Sequence, residues 1–241
     1  MNKEFEKYIK SYDLNNKEIK KKYLHSYRVM NLSKKYATLL NYNKHDIELA
    51  TIIGLLHDIG RFEQFKIYHT YDDSISIDHA SYGVKILFEN NLIKQFWKDE
   101  TDYEIIKFAI ENHNKYEIVK TCNKRALMHA KLIRDTDKLD IIYHMGFLKT
   151  NSIFADKSPI SKEVLACIKN KTSVKRIYKK TNNDQIISVL AFTYNIYNNI
   201  CLKELKRNLK QYYKYSDKNQ YLINIYTKVM NYIDNILKSE D

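Results

Sequence analysis

Along residues 19–41, Tyr23, Tyr27, Met30, Leu32, Tyr36 and the Leu39/Leu40 pair recur at close to helical spacing, opposite a lysine-rich face. The pattern predicts a helix, and His25 lies within it. Asn43 supplies a new start signal, and residues 46–59 predict a second helix. Its run ELATIIGLLHDI is apolar almost all round, which marks a buried helix. Gly60 stands where a glycine commonly ends a helix. Residues 61–77 mix polar and aromatic side chains without a clean period and are expected to be mostly loop. Asp78 is placed to cap a helix over residues 79–90, and further helices are expected over 102–112 and 126–143. The lone Pro159, after Ser158, precedes another helix start. From Lys162 onward two or three long amphipathic helices are expected, including 186–209 and 221–237.

The fold class that follows is all-α, a helical bundle with a C-terminal helical extension. Four glycines and one proline in 241 residues agree with it, because turn-dependent β architectures need many more of both. All eight histidines lie before residue 145. The expected division is therefore a metal-binding catalytic domain over 1–150 and an extension over 151–241. That extension would pack on the same domain or form a homo-oligomer interface.

The formal net charge of +12 suggests an anionic partner. The lysines are spread along the whole chain, however, and Lys, Asn, Ile and Tyr are abundant together, as an AT-rich coding sequence imposes. Nucleic-acid binding is not expected, whereas attraction for small phosphate-bearing molecules fits. Cys122, Cys167 and Cys201 are far apart and match no metal or disulfide spacing, so reduced, buried thiols are expected. The N-terminus has no apolar signal core, and no run approaches the roughly 18 apolar residues of a membrane span. A soluble, cytoplasmic protein is the expectation.

Chemistry concentrates at His57-Asp58, inside the strongly apolar helix. Burying an imidazole beside a carboxylate is costly unless something satisfies both. A divalent metal does so; a capping pair bonded to backbone at a helix end is the alternative. His25 lies upstream. Downstream, Arg134-Asp135-Thr136-Asp137-Lys138-Leu139-Asp140 puts three carboxylates in one helical stretch. Apolar Ile133, Leu139 and Ile141 around Asp137 suggest that it faces inward, while Asp135 and Asp140 suit either face.

The order His25, His57-Asp58, Asp137, with the strings GLLHDIGR and RDTDKLD, resembles the metal signature of the HD superfamily of phosphohydrolases over residues 23–145. The resemblance implies a helical fold in which these four residues bind a divalent metal. It also implies hydrolysis of a phosphomonoester or phosphodiester, most often in a nucleotide-like substrate, by metal-activated water. His79 and His113 stand where members with a second metal carry histidines, including the cyclic-dinucleotide phosphodiesterases called HD-GYP. The chain departs from that group after His113, reading Asn114-Lys115-Tyr116 without the Gly-Tyr-Pro run. One or two ions are thus implied, with Mn²⁺, Fe²⁺, Co²⁺ or Mg²⁺ suiting mixed donors better than a structural zinc site. His79 read without the resemblance is a surface residue opening a helix. His113 read in the same way interacts with a helix dipole.

Asp58 is the expected bridging and catalytic carboxylate. Arg61 and Lys138 are candidates to offset phosphate charge and bind substrate, with Arg134 a third. Tyr143 is a candidate substrate contact, and Phe62, Phe65 and Tyr68 are candidates to stack on a base. His45, His69, His129 and His144 match no ligand position and are expected to be structural or exposed, His69 and His129 near the pocket. The alternative function is a catalytically silent module that binds metal and nucleotide and acts through a partner.

Overall fold

A computed structural model of the chain describes residues 2–89, 91–147, 158–213 and 220–239. The described residues are helical, with short 3₁₀ turns and no strand among them. The chain divides into two compact units, Met1–Asp137 and Lys138–Asp241.

The first unit holds α1 (Asn2–Ile9), α2 (Lys17–Leu39), α3 (Lys44–Leu56), α4 (Gly60–Tyr68), α5 (His79–Phe88), α6 (Ile93–Phe96) and α7 (Tyr103–Asn112). The boundary falls within α8 (Lys124–Phe147). Three side chains start helices where the sequence implies a start. Asn16 accepts from the Glu18 and Ile19 amides, Asn43 from Asp46, and Asp78 from Ser81. Such caps satisfy amides that the helix itself leaves unpaired.

α3 is the buried centre, with Leu49, Ile52, Ile53, Leu55 and Leu56 each at most 1% exposed. Each such side chain contributes about 1.5–3 kcal/mol on burial. α3 packs along α2, and Gly54 permits the approach. A Cβ there would lie 2.6 Å from Ser33 Oγ and 3.0 Å from the Met30 Cα. The Ser33 and Thr136 hydroxyls, 3.0 Å apart, join α2 to α8 one residue before Asp137.

Two expectations fail around the His-Asp pair. Gly60 opens α4 instead of ending a helix, and residues 60–68 are helical, not loop. α3 stops at Leu56, and His57 and Ile59 keep right-handed helical dihedrals, so the chain reorients without a left-handed cap. A left-handed residue comes instead at His69, at φ 53°, which ends α4. The helical period of 61–68 is masked because a fully buried position is the polar Gln64. Gly60 is needed for close packing: a Cβ there would sit 2.2 Å from the His79 carbonyl and 2.8 Å from the Gly83 amide nitrogen.

The second unit contains α9 (Lys162–Lys169), α10 (Asn182–Leu190), α11 (Asn199–Tyr213) and α12 (Gln220–Lys238). Its buried apolar residues include Val164, Ile187, Leu190, Cys201, Leu205, Leu209, Leu222, Val229 and Ile233. Asp184 is fully buried, and its carboxylate accepts from the Ser161 amide and hydroxyl and from the Lys180 and Thr181 amides. The single helix expected over 186–209 is broken. α10 gives way to a 3₁₀ turn at Ala191–Asn195 and an extended Ile196, and α11 then starts at Asn199. Both pieces are amphipathic, so hydrophobic spacing alone does not reveal the break. Cys167 and Cys201 are buried as expected, but Cys122 is exposed. No described helix is long and apolar enough to cross a membrane.

Candidate metal centre

The fold gathers His25 from α2, His57 and Asp58 from the turn after α3, His79 from the start of α5, His113 from the end of α7 and Asp137 from α8. His25, His57, Asp58, His79 and His113 are all buried. Asp58 stands between two groups. Its Oδ2 is 3.5 Å from His25 Nε2 and 3.8 Å from His57 Nε2, while its Oδ1 is 3.2 Å from His79 Nε2 and 3.4 Å from His113 Nε2. Asp137 Oδ1 joins the first group, 3.1 Å from His25 Nε2 and 3.7 Å from His57 Nε2.

The placement of protons decides what this arrangement is. His57 Nδ1 lies 2.9 Å from the Gly54 carbonyl and His113 Nδ1 lies 2.6 Å from the Ile110 carbonyl. A carbonyl only accepts, so both Nδ1 atoms carry the hydrogen. His79 Nδ1 donates to the Asp73 carboxylate at 2.8 Å. In their neutral forms the His57, His79 and His113 rings would therefore each present a bare Nε2 lone pair. Yet His79 and His113 Nε2 are 3.0 Å apart, and His25 and His57 Nε2 are 3.3 Å apart. The His79 and His113 lone pairs, facing each other beside a carboxylate, repel unless a cation lies between them, whereas His25 Nε2 can carry a hydrogen toward Asp137 Oδ1 3.1 Å away. Burial pushes His113 down to about 4 despite the Asp58 carboxylate nearby, so the ring is neutral at pH 7 and does not supply that cation itself. These donors fit a divalent ion in each group.

The carboxylates are ionised as such a centre requires. Burial alone would raise Asp58, but the Lys22 ammonium chiefly outweighs it and holds the group well below the usual range. Asp137 is likewise held low against burial, by His25 and His57. Asp73 is lowered against burial by His79, Arg61 and Gln64.

The cations serve differently from one another. Arg61 Nη1 donates to Gln64 Oε1, the Tyr71 carbonyl and Asp73 Oδ1, all within 2.8 Å, and its Nε is 3.6 Å from Asp58 Oδ1. It fastens the segment that carries Asp73. Arg134, fully inside at 2% exposure, donates to the carbonyls of Asn112, His113, Lys115 and Tyr116. It pins the turn bearing His113 rather than facing a substrate. Lys138 is buried and Tyr143 is 44% exposed, both in the second unit. Asp135 and Asp140 are buried, which settles the open question of their faces.

Phe62 is fully buried beside Phe5 and Tyr12 and is unavailable to stack on a base. His129 belongs to another cluster, bonded to Asp46 at 3.0 Å. Sequence reasoning missed Lys22, Gln64, Tyr71 and Asp73. Only Lys22 carried a usable signal, three residues before His25 on one helix face. Asp73 reaches His79 through a loop, and no period encodes that.

The family model of the HD domain matches residues 23–144, half of the chain. No curated protein and no solved structure matches it.

Proposed function

The chain belongs to the HD domain family, and on that premise we propose that it is a metal-dependent phosphohydrolase cleaving a phosphomonoester or phosphodiester in a nucleotide-like substrate. The family's general character is divalent-metal hydrolysis; substrate and ligand assignments are our reading. The observation that carries it is the pair of facing Nε2 atoms on either side of Asp58, 3.0 and 3.3 Å apart.

In this reading His25, His57, Asp58 and Asp137 hold one ion, and Asp58, His79 and His113 hold a second. Mn²⁺, Fe²⁺, Co²⁺ or Mg²⁺ suits these mixed donors. When bound, a divalent ion polarises a phosphoryl oxygen and makes a water acidic enough to attack near neutral pH. The chain's own part is to keep the donors deprotonated and aimed. Gly54, Ile110 and Asp73 hold the Nδ1 hydrogens, so the Nε2 atoms stay available. Arg61 contributes positive charge 3.6 Å from Asp58 while fastening Asp73. Lys138, next in the chain to Asp137, and Tyr143 are proposed as substrate contacts.

The test is to purify the protein metal-free, add Mn²⁺, and follow product from nucleotides, cyclic nucleotides and a generic phosphodiester, with Asp58→Ala alongside. Turnover only by the unsubstituted protein, and only with metal, is expected; the preferred compound then names the substrate class. Full activity in Asp58→Ala would sink the mechanism. Silence across the panel with metal bound would favour a binding module without turnover.

A further inference from the structure

Resting on the phosphohydrolase reading, we infer that Lys22 is a substrate-binding residue, its ammonium holding a nonbridging phosphate oxygen at the solvent side of Asp58. Lys22 lies just before the family-matched residues 23–144. Its Nζ is 2.8 Å from Asp58 Oδ2, the oxygen shared with the His25 group. Its side chain is 20% exposed whereas that of Asp58 is 4% exposed, so the ammonium lies between the buried donors and water.

Placement separates Lys22 from the other cations. Arg61 Nη1 is tied to Gln64, Tyr71 and Asp73 within 2.8 Å with its side chain only 14% exposed, and four carbonyls hold Arg134 at 2% exposure. An ammonium has three N–H groups, and Asp58 Oδ2 takes one of those of Lys22. The ammonium lies over the Tyr71 ring, whose centroid is 5.4 Å from Nζ, and Tyr71 is in turn tied to α2 by its hydroxyl donating to the Glu18 carbonyl at 2.9 Å. A flexible, hydrated point charge of this kind suits a phosphate oxygen. Asp58 is common to both donor groups, so a cation leaning on it reaches a phosphate bound at either. When divalent charge satisfies Asp58, the ammonium is released to the incoming anion.

The experiment loads the protein with Mn²⁺, removes excess metal, and titrates inorganic phosphate calorimetrically into the unsubstituted protein, Lys22→Met and Lys22→Arg. Metal content and thermal midpoint are measured on each. Lys22→Met is expected to keep its Mn²⁺ and lose about ten- to a hundredfold in phosphate affinity, the size of one charge-assisted hydrogen bond. Lys22→Arg should recover most of it. Unchanged phosphate affinity in Lys22→Met overturns the assignment while leaving the phosphohydrolase reading intact. Loss of Mn²⁺ in Lys22→Met that Lys22→Arg restores also overturns it, since Lys22 would then act only as counterion to Asp58. Absence of both Mn²⁺ uptake and phosphate binding in the unsubstituted protein defeats the two readings together.

Discussion

Two clusters of histidine and aspartate lie in the first unit, and they differ in how their charges and protons close. Around Asp58, histidine Nε2 atoms face one another 3.0 and 3.3 Å apart, each hydrogen that is accounted for pointing outward to Gly54, Ile110 or Asp73. Around Asp102 the reverse holds. His45 Nε2 is 2.6 Å from Asp102 Oδ2, Trp97 Nε1 donates to the same oxygen at 2.9 Å, and Arg125 Nη1 donates to Oδ1 at 2.6 Å. Arg125 Nε and His129 Nε2 meet Asp46 Oδ1 at 2.6 and 3.0 Å, and Asn43 Nδ2 donates to Oδ2 at 2.7 Å. His45, Asp99 and Asp102 bring ligand-type atoms as close together as the residues at Asp58 do. Proximity of such residue types therefore does not make a metal centre. In the second cluster each of the four carboxylate oxygens has a donor and one arginine serves both carboxylates, whereas around Asp58 the facing His79 and His113 nitrogens have no hydrogen between them.

The sharpest way to break this comparison is to truncate one histidine in each cluster. His79→Ala or His113→Ala should lose one ion per chain and, with it, nearly all metal-dependent turnover, whereas His45→Ala should keep its full metal content. Elemental analysis after desalting decides this. An unchanged metal count in His79→Ala would remove the second ion from the scheme. A smaller effect is expected from Asp73→Asn, which leaves the His79 ring in place but removes the carboxylate that holds its Nδ1 hydrogen. Losing such an orienting partner typically weakens metal binding about 10–100-fold. Competition with a fluorescent chelator measures it, and an affinity equal to that of the unsubstituted protein would show that the His79 ring needs no such anchor.

Residue order pointed to side chains that the fold does gather, because His25 and Asp137 stand on helices and His57-Asp58 follow directly on the apolar α3. The all-α class followed from the apolar periods and from the scarcity of glycine and proline. What escaped the reading depends on contacts across loops. Asp73 reaches His79 and Arg61 from a segment without period, and Arg134 spends its guanidinium on four backbone carbonyls that no residue type advertises. Gly60 looked like a terminator because glycine commonly ends helices, but its missing Cβ is needed against the His79 carbonyl. Gly60→Ala should accordingly push α4 from α5 and disturb His79 without altering any polar group. Charged residues were ambiguous for a different reason: Arg61 beside Asp58 reads equally as a substrate clamp or an internal brace until its acceptors are seen.

Smaller effects are expected from the Asp102 cluster, and they should fall on stability rather than metal. Arg125→Met strands two buried carboxylates. Breaking a buried pair costs about 3–5 kcal/mol, and because the Arg125 side chain is 36% exposed the expected loss is nearer ~2 kcal/mol. Chemical denaturation measures that loss, and Mn²⁺ content should not change.

The acid dependence of the same cluster is smaller again, and its sign is fixed. Asp46 is held below the usual carboxylate range because His129 and Arg125 outweigh its burial. Its contribution is full above the unfolded value of about 3.9 and is lost as pH falls through the folded one. His129 is lowered chiefly by burial; its Nδ1, where a second proton would go, has no hydrogen-bond partner among the described residues. The unfolded chain therefore binds that proton first, and stability begins to fall as pH drops below about 6.5. His129→Gln should reduce this upper part of the acid slope, the rest belonging to His113, which burial lowers in the same way, and leave the part below about 4, which belongs to Asp46 and the other lowered carboxylates. An unchanged slope between pH 7 and 5 would remove His129 from this account and leave that slope to His113.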